Sequence, residues 1–241
     1  MKRISIIFLT LAMIVILCAC NNQIDVGGEI INDTSADSVS DTVSVVDTDA
    51  QTNENNATDT EAGLDFGKTE GNVYENAFIG IGCKLGEGWS FYSDEEINAL
   101  NNLAVGMMPE EAQELLKEAN LFYDMFATAA DAMNNINVNL EKVNAVQLIG
   151  LDLAKNFELL VPTLKATYEN AGYTNFNYEI TEIEIEGKAL VAMKASAEIS
   201  GVNMYQLVFQ KKCNGYLANV TITSYFDDVT ETILDTFYLV K

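Results

Sequence analysis

The last seventy or so residues constrain the fold most. They hold four runs rich in aliphatic, aromatic and threonine side chains, separated by the dipeptides Glu186-Gly187, Ser200-Gly201 and Asn214-Gly215. Each dipeptide supplies a glycine for a tight turn, and Asn-Gly is the strongest hairpin signal of the three. Connections this short join only antiparallel neighbours, so the runs predict a four-stranded antiparallel meander. In the second run Ala189, Val191, Met193, Ala195, Ala197 and Ile199 share one face, and Lys194, Ser196 and Glu198 share the other. In the first run the apolar parity shifts between Ile180 and Ile183, which predicts a β-bulge near Thr181. Thr230 to Lys241 then reads as a short helix with Ile233, Leu234 and Phe237 facing the sheet.

Upstream, the stretch from Ala77 to Leu85 and the stretch Trp89-Ser90-Phe91-Tyr92 flank Gly86-Glu87-Gly88, which predicts an N-terminal hairpin. Gly80, Gly82 and Gly86 are spaced GxGxxxG, and no helix opens at the third, so a nucleotide-binding loop is excluded. Ser93 and Glu96 form a capping box for a helix carrying Ile97, Leu100 and Leu103. Pro109 suits the first position of another helix, whose apolar stripe runs Ala112, Leu115, Leu116, Ala119, Phe122, Phe126, Ala129 and Met133. Ile136 to Val143 alternates as a half-buried strand. A helical region from about 146 to 170 contains Pro162, so a kink or two meeting helices are expected there. Gly172 suits its C-terminal cap.

The order of these elements is an α+β plan, an N-terminal hairpin and a C-terminal four-stranded meander packed with helices, and residues 73–241 suffice for a single domain burying roughly 70% of its unfolded surface. The aromatic opening, from Asn76-Ala77-Phe78 to Gly88-Trp89, and the later meander resemble the PsbP-like domain. That resemblance implies a fold found in photosystem lipoproteins and in small bacterial lipoproteins, and it carries over no functional residue.

The other end of the chain concerns location. Lys2 and Arg3 precede an apolar run from Ile4 to Leu17, too short at roughly 14 residues for the ~20 that a spanning helix needs. The run ends in Leu17-Cys18-Ala19-Cys20. Cys18 follows the bulky Leu17, whereas Cys20 follows the small Ala19 with Leu17 three positions before it. The segment resembles a bacterial lipoprotein signal, which implies cleavage after residue 19 and a diacylglyceryl thioether on Cys20. A lipid-anchored protein on the extracytoplasmic face of a bacterial membrane is the expectation. Residues 20–72 then form an acidic linker, with twelve carboxylates against Lys68 between Asn21 and Asn72. Such a segment lacks the apolar surface to offset its ordering entropy, and it holds the domain some ~40 Å from the bilayer on average. From Asp47, an EF-hand would need glycine and glutamate where Thr52 and Thr58 stand, so no calcium loop is present.

The chain has no histidine, which excludes Ser-His-Asp and Cys-His nucleophiles and His-containing zinc sites. After processing, Cys83 and Cys213 are the cysteines of the domain; export permits a disulfide between them, worth roughly 4–5 kcal/mol in the entropic account, and two unpaired thiols are the alternative. Met107, Met108, Met125 and Met133 fit core filling better than a soft-metal site. Glu182, Glu184 and Glu186 alternate as a solvated strand face, and Asp227-Asp228 reads as a helix cap. Residues 73–241 carry 24 acidic and 10 basic side chains, so nucleic acid and anionic lipid are repelled. These exclusions favour a non-catalytic interaction or ligand-binding module with no cofactor and no metal, its partner an envelope protein or a small ligand. A carboxylate-dependent hydrolase of cell-wall polymer is the alternative, and a methionine-rich metal carrier a third.

Overall fold

The computed structural model describes residues 66–106 and 121–241. The signal, Cys20, most of the acidic linker and the helix expected at Pro109 lie outside them. The elements in chain order are β1 (Lys68–Glu70), β2 (Val73–Asn76), β3 (Ile81–Lys84), β4 (Trp89–Phe91), α1 (Asp94–Gly106), β5 (Leu121–Ala129) and β6 (Asn134–Lys142), then α2 (Ala145–Gly150) and α3 (Leu153–Asn170). The meander follows as β7 (Thr174–Ile185), β8 (Lys188–Ile199), β9 (Val202–Cys213) and β10 (Tyr216–Tyr225), closed by α4 (Thr230–Leu234) and β11 (Phe237–Tyr238). The fold is α+β, and its strands form two antiparallel sheets, β1-β2-β3-β11 and β4-β5-β6-β10-β9-β8-β7.

The meander forms with the expected two-residue turns. Both turn residues have positive φ at Glu186-Gly187 (48° and 80°) and at Ser200-Gly201 (52° and 81°), as type I′ hairpins require. The bulge expected near Thr181 sits instead at the start of β7, where the register slips between Thr174 and Asn177 and Asn175 has φ 55°. From Asn177 to Ile185 the pairing with β8 is continuous.

Two cores lie on opposite faces of the seven-stranded sheet. On the first, the small sheet and α4 bring Tyr74, Ile81, Cys83, Leu234 and Phe237 onto Val138, Leu207, Phe209, Val220 and Ile222. Phe209 and Phe237 meet edge-to-face with centroids 5.7 Å apart. On the second, α3 packs Phe157, Leu160, Leu164 and Tyr168 onto Met193, Ala197, Met204 and Val208. Asp124 joins the sheets: its carboxylate accepts from the Gly67 amide (2.8 Å), from Asn76 Nδ2 (2.7 Å) and from the Tyr74 hydroxyl.

Four expectations are corrected. The stretches around Gly86-Glu87-Gly88 do not pair with each other: β3 pairs with β2 and β11, whereas β4 pairs with β5 in the other sheet. The glycine segment is a crossing between layers, and Gly82 serves a different need, since a Cβ there would lie 2.7 Å from the Tyr238 ring laid over β3. Residues 121–129 are strand β5, not helix. A register shift between Tyr123 and Met125 flips the parity, so Phe122 and Met125 face one core at a spacing that imitates a helix. Pro162 sits inside α3, and the two helices meet at Leu151-Asp152 instead, where Asp152 Oδ1 caps α3 by accepting from the Lys155 amide. The terminal helix stops at Leu234, and Phe237 reaches the core from β11. In addition, β1 falls in the stretch assigned to the linker, paired with β2.

Candidate functional site

The site is a row of amides crossing the second face of the seven-stranded sheet. On β6, Ile136, Val138 and Leu140 point into the first core, so Asn137, Asn139 and Glu141 point to the opposite face. On β10, Val220 and Ile222 do the same and leave Asn219, Thr221 and Thr223 beside them, with Asn219 opposite Asn139 and Thr221 opposite Asn137. Gln206 and Gln210 continue the pattern on β9. All of these polar side chains are buried, together with Asn156 of α3. A strand expected to be half-solvated is therefore buried on both faces.

Their hydrogen bonds run in one direction. Asn156 Nδ2 donates to Gln210 Oε1 (3.1 Å), Gln210 Nε2 to Asn219 Oδ1 (2.8 Å), and Asn219 Nδ2 to Asn139 Oδ1 (3.1 Å). Asn139 Nδ2 then makes a long 3.5 Å bond to Asn137 Oδ1. Gln210, Asn219 and Asn139 each spend their oxygen on the neighbour before and their nitrogen on the neighbour after. The relay ends at Asn137 Nδ2, which has no acceptor among the described residues; Thr221 Oγ1 and Glu141 Oε2 are likewise buried without a partner. Asn137 and Thr221 are fully buried at 0% exposure. Leaving a buried donor or acceptor unbonded costs about 1–3 kcal/mol each, so these three atoms are the costly positions of this face. A parallel arm runs from the Tyr168 hydroxyl to Gln206, whose Nε2 donates to Thr223 Oγ1 at 3.0 Å.

The border of the row is apolar. Phe126 stands opposite Asn137 and Tyr123 opposite Asn139 across the β5–β6 ladder, and Tyr92 leans on Phe126 with centroids 4.6 Å apart. Burial pushes the Glu141 carboxyl up to about 7. Its cross-strand neighbour Leu217 is fully buried. The row carries no lysine or arginine among its buried side chains.

An open hollow of about 330 Å³ lies over β7–β9, lined by Asn177, Glu179, Lys194, Ser196, Gln206 of the parallel arm and Asp228. Its lysine is already engaged: Lys194 bonds Glu231, which raises its pKa, with Asp228 and Glu179 adding to the shift. The hollow is open to water, and its single lysine is outnumbered by the carboxylates of Glu179, Asp228 and Glu231.

The residues singled out in the sequence are dispersed. Cys20 lies outside the described residues. Cys83 and Cys213 are buried free thiols in the first core, so the disulfide is not formed in the structure. Burial pushes the Cys83 thiol up to about 12 and also raises Cys213, which leaves neither as a ready thiolate. Glu182 and Glu184 are exposed along edge strand β7, and Glu186, exposed in the turn that follows, accepts through Oε2 from the Leu239 amide (3.0 Å). Asp228 holds the start of α4, accepting from the Thr230 amide (3.1 Å) and hydroxyl (2.7 Å). Met125 fills the first core, while Met133 is exposed beside the β5–β6 turn. Reading Asn135-Ile-Asn-Val-Asn-Leu-Glu141 as a solvated face missed the amide row. The available signal was its chemistry, because asparagine is depleted in strands and a solvated face more often carries lysine and glutamate.

No helix of the described residues is long and apolar enough to cross a membrane. No family model matches the sequence, and no curated protein matches it. Among solved structures, the chain is similar to a Bacteroides thetaiotaomicron protein at 10% identity and a TM-score of 0.37, covering 72% of this chain but only 50% of that one. It is also similar to LpqN of Mycobacterium tuberculosis, described as involved in cell envelope biogenesis, at 11% identity and a TM-score of 0.36, covering 67% of this chain and 83% of that one. A Pseudomonas aeruginosa protein of unknown function, PA94, matches at 14% identity and a TM-score of 0.24 over 37% of this chain and 58% of that one. Likeness at this level transfers no residue and no role.

Proposed function

We propose that this chain is a lipid-anchored protein on the extracytoplasmic face of a bacterial membrane, and that its domain binds a ligand or an envelope partner without transforming it. Cys20 carries the anchor in this reading, and the acidic linker carries the domain clear of the bilayer. The PsbP-like resemblance of the meander belongs to the same proposal. The observation that supports binding is the amide relay ending in the unpartnered Asn137 Nδ2, with Thr221 Oγ1 beside it. Two experiments test the two halves. Replacing Cys20 with Ala should move the protein from the membrane fraction to the soluble fraction, and a variant that stays with the membrane refutes the anchor. In-cell cross-linking of the lipidated protein against that control should capture an anchor-dependent partner if the occupant is a protein.

A second reading rests on Glu141. A carboxyl raised to about 7 is suited to general acid catalysis, as in a hydrolase of cell-wall polymer. Such an enzyme needs a second carboxylate nearby, roughly 5–9.5 Å away. Burial is the one cause of the Glu141 shift, with no charge contribution from another acid. Release of soluble fragments from purified wall, lost in Glu141→Gln, would favour this reading over binding.

A further inference from the structure

We propose that strand β7 is the docking edge for an extended, basic segment of a partner protein, which pairs with it and lengthens the large sheet by one strand. This rests on the reading of the domain as a binding module and gives its protein partner a place, away from the amide row. The sheets end in β1 and β11 on one side and in β4 and β7 on the other. Three of these edges are blunted by length, since β1 and β4 have three residues each and β11 has two. The fourth, β7, runs for twelve. Proteins guard long edges with bulges, proline or charge. The bulge of β7 is spent before Asn177, and from there to Ile185 the register is unbroken and proline is absent. Its charges over that span are all carboxylates, Glu179, Glu182 and Glu184. Such a guard repels another acidic edge and leaves a basic strand free to pair.

The open backbone groups can be assigned. Ile185 and Lys188 flank the type I′ turn at Glu186-Gly187, so they exchange both of their hydrogen bonds. Counting back by twos, the odd-numbered residues of β7 bond β8, and Glu184, Glu182, Ile180 and Tyr178 turn their N–H and C=O groups outward. An added strand bonds to those residues and sets its side chains beside theirs. Tyr178 is 50% exposed there. Across the ladder Glu182 and Glu184 face Val191 and Ala189, so no lysine of β8 stands opposite them. On the other face Glu179 lines the open hollow, where Lys194 is already bonded to Glu231 and Asp228 adds a further carboxylate. Lysine or arginine at alternate positions of the partner meets a carboxylate on whichever face it points to. A second copy of this chain is the poorer occupant, because β7 laid against β7 brings glutamates onto glutamates.

The test uses the full chain, purified in detergent, with peptides of about ten residues as probes. One alternates valine with lysine, one alternates valine with glutamate, and the third is the lysine probe N-methylated along its backbone, which keeps its charge and cannot donate to an edge. Hydrogen exchange should show the lysine probe protecting the amides of Tyr178, Ile180, Glu182 and Glu184. The N-methylated form, which the acidic linker attracts equally, should leave them unprotected. Combining Glu182→Lys with Glu184→Lys should weaken binding of the lysine probe about tenfold and tighten that of the glutamate probe. Glu182→Pro removes one outward donor and spares the bonds to β8, so it should keep its melting temperature and lose the lysine probe. Equal binding of the lysine and glutamate probes overturns the basic partner, as does self-association of the chain that Glu182→Pro abolishes. Equal binding of the lysine probe and its N-methylated form, with β7 unprotected, overturns the edge. In cells, an anchor-dependent partner still cross-linked to a folded Glu182→Pro variant overturns the edge and leaves the binding role standing, whereas no partner from either chain removes the protein-partner reading with it.

Discussion

Glu141 shows how one side chain can set the pH response of the whole domain. Its carboxyl titrates near 7 in the folded protein against about 4.5 when exposed, so folding takes up a proton between those values. The sign follows from linkage. Below about pH 4.5 the group is protonated in both states and has no effect, and as pH rises toward 7 the folded state loses a few kcal/mol relative to the unfolded one. Chemical denaturation should therefore give a higher midpoint at pH 5 than at pH 8, and Glu141→Gln should flatten that difference and raise the midpoint at pH 8. An unchanged difference in the variant would assign the pH response to other groups. Ser200 makes a second single-residue case. It holds φ 52° in a type I′ turn, where asparagine is far better tolerated, so Ser200→Asn should stabilise by about 1 kcal/mol, read as a rise in melting temperature. That turn was legible because its glycine announces it. The amides of β6 were not, because alternation alone cannot say whether the polar face meets water or another layer.

At the scale of elements, the end of α3 illustrates how a local signal can be complete. Gly172 at φ 87° follows the cap residue Ala171, its amide bonds the Glu169 carbonyl (3.0 Å), and the Tyr173 amide bonds the Tyr168 carbonyl (2.9 Å). These are the two bonds of a Schellman motif, and the rings of Tyr168 and Tyr173 supply its apolar contact at 5.3 Å. Gly172→Ala should cost about 1–2 kcal/mol, seen as a lower denaturation midpoint with an unchanged slope. The capping box was equally readable: Ser93 Oγ accepts from the Glu96 amide (3.3 Å) and Glu96 Oε2 from the Ser93 amide (2.8 Å). Strand β5 was not readable, since its bulge breaks the two-residue period on which recognition of a strand depends. The pairing of β3 with β11 escaped for another reason. Tyr238 and Gly82 are neighbours in the sheet but lie far apart in the chain, and no local pattern reports such a partner.

For the molecule as a whole, the two cores share β8 and β9, because alternate residues of those strands serve opposite faces. Damage to one core should therefore be felt in both. Phe157→Ala under α3 should cost about 3–5 kcal/mol and still give a single transition when followed by tryptophan fluorescence, since Trp89 packs against the other core. Two resolved transitions would show that the cores unfold separately. Asp124 offers the complementary test between the sheets. Removing its three accepted bonds leaves buried donors behind, and Asp124→Ala should cost at least 2 kcal/mol, measured by urea denaturation.

The same carboxylate also decides how the domain meets a force. All of the chain before Phe66 leaves past Gly67, whose amide is held by Asp124, while the Phe66 ring lies edge-on against Phe122 with centroids 6.0 Å apart. Tension on that leading segment falls first on this clasp, and only afterwards on the three-residue strand β1 and the sheet behind it. A pull on that leading segment should thus pay out a short length of slack, one strand long, before either core gives way.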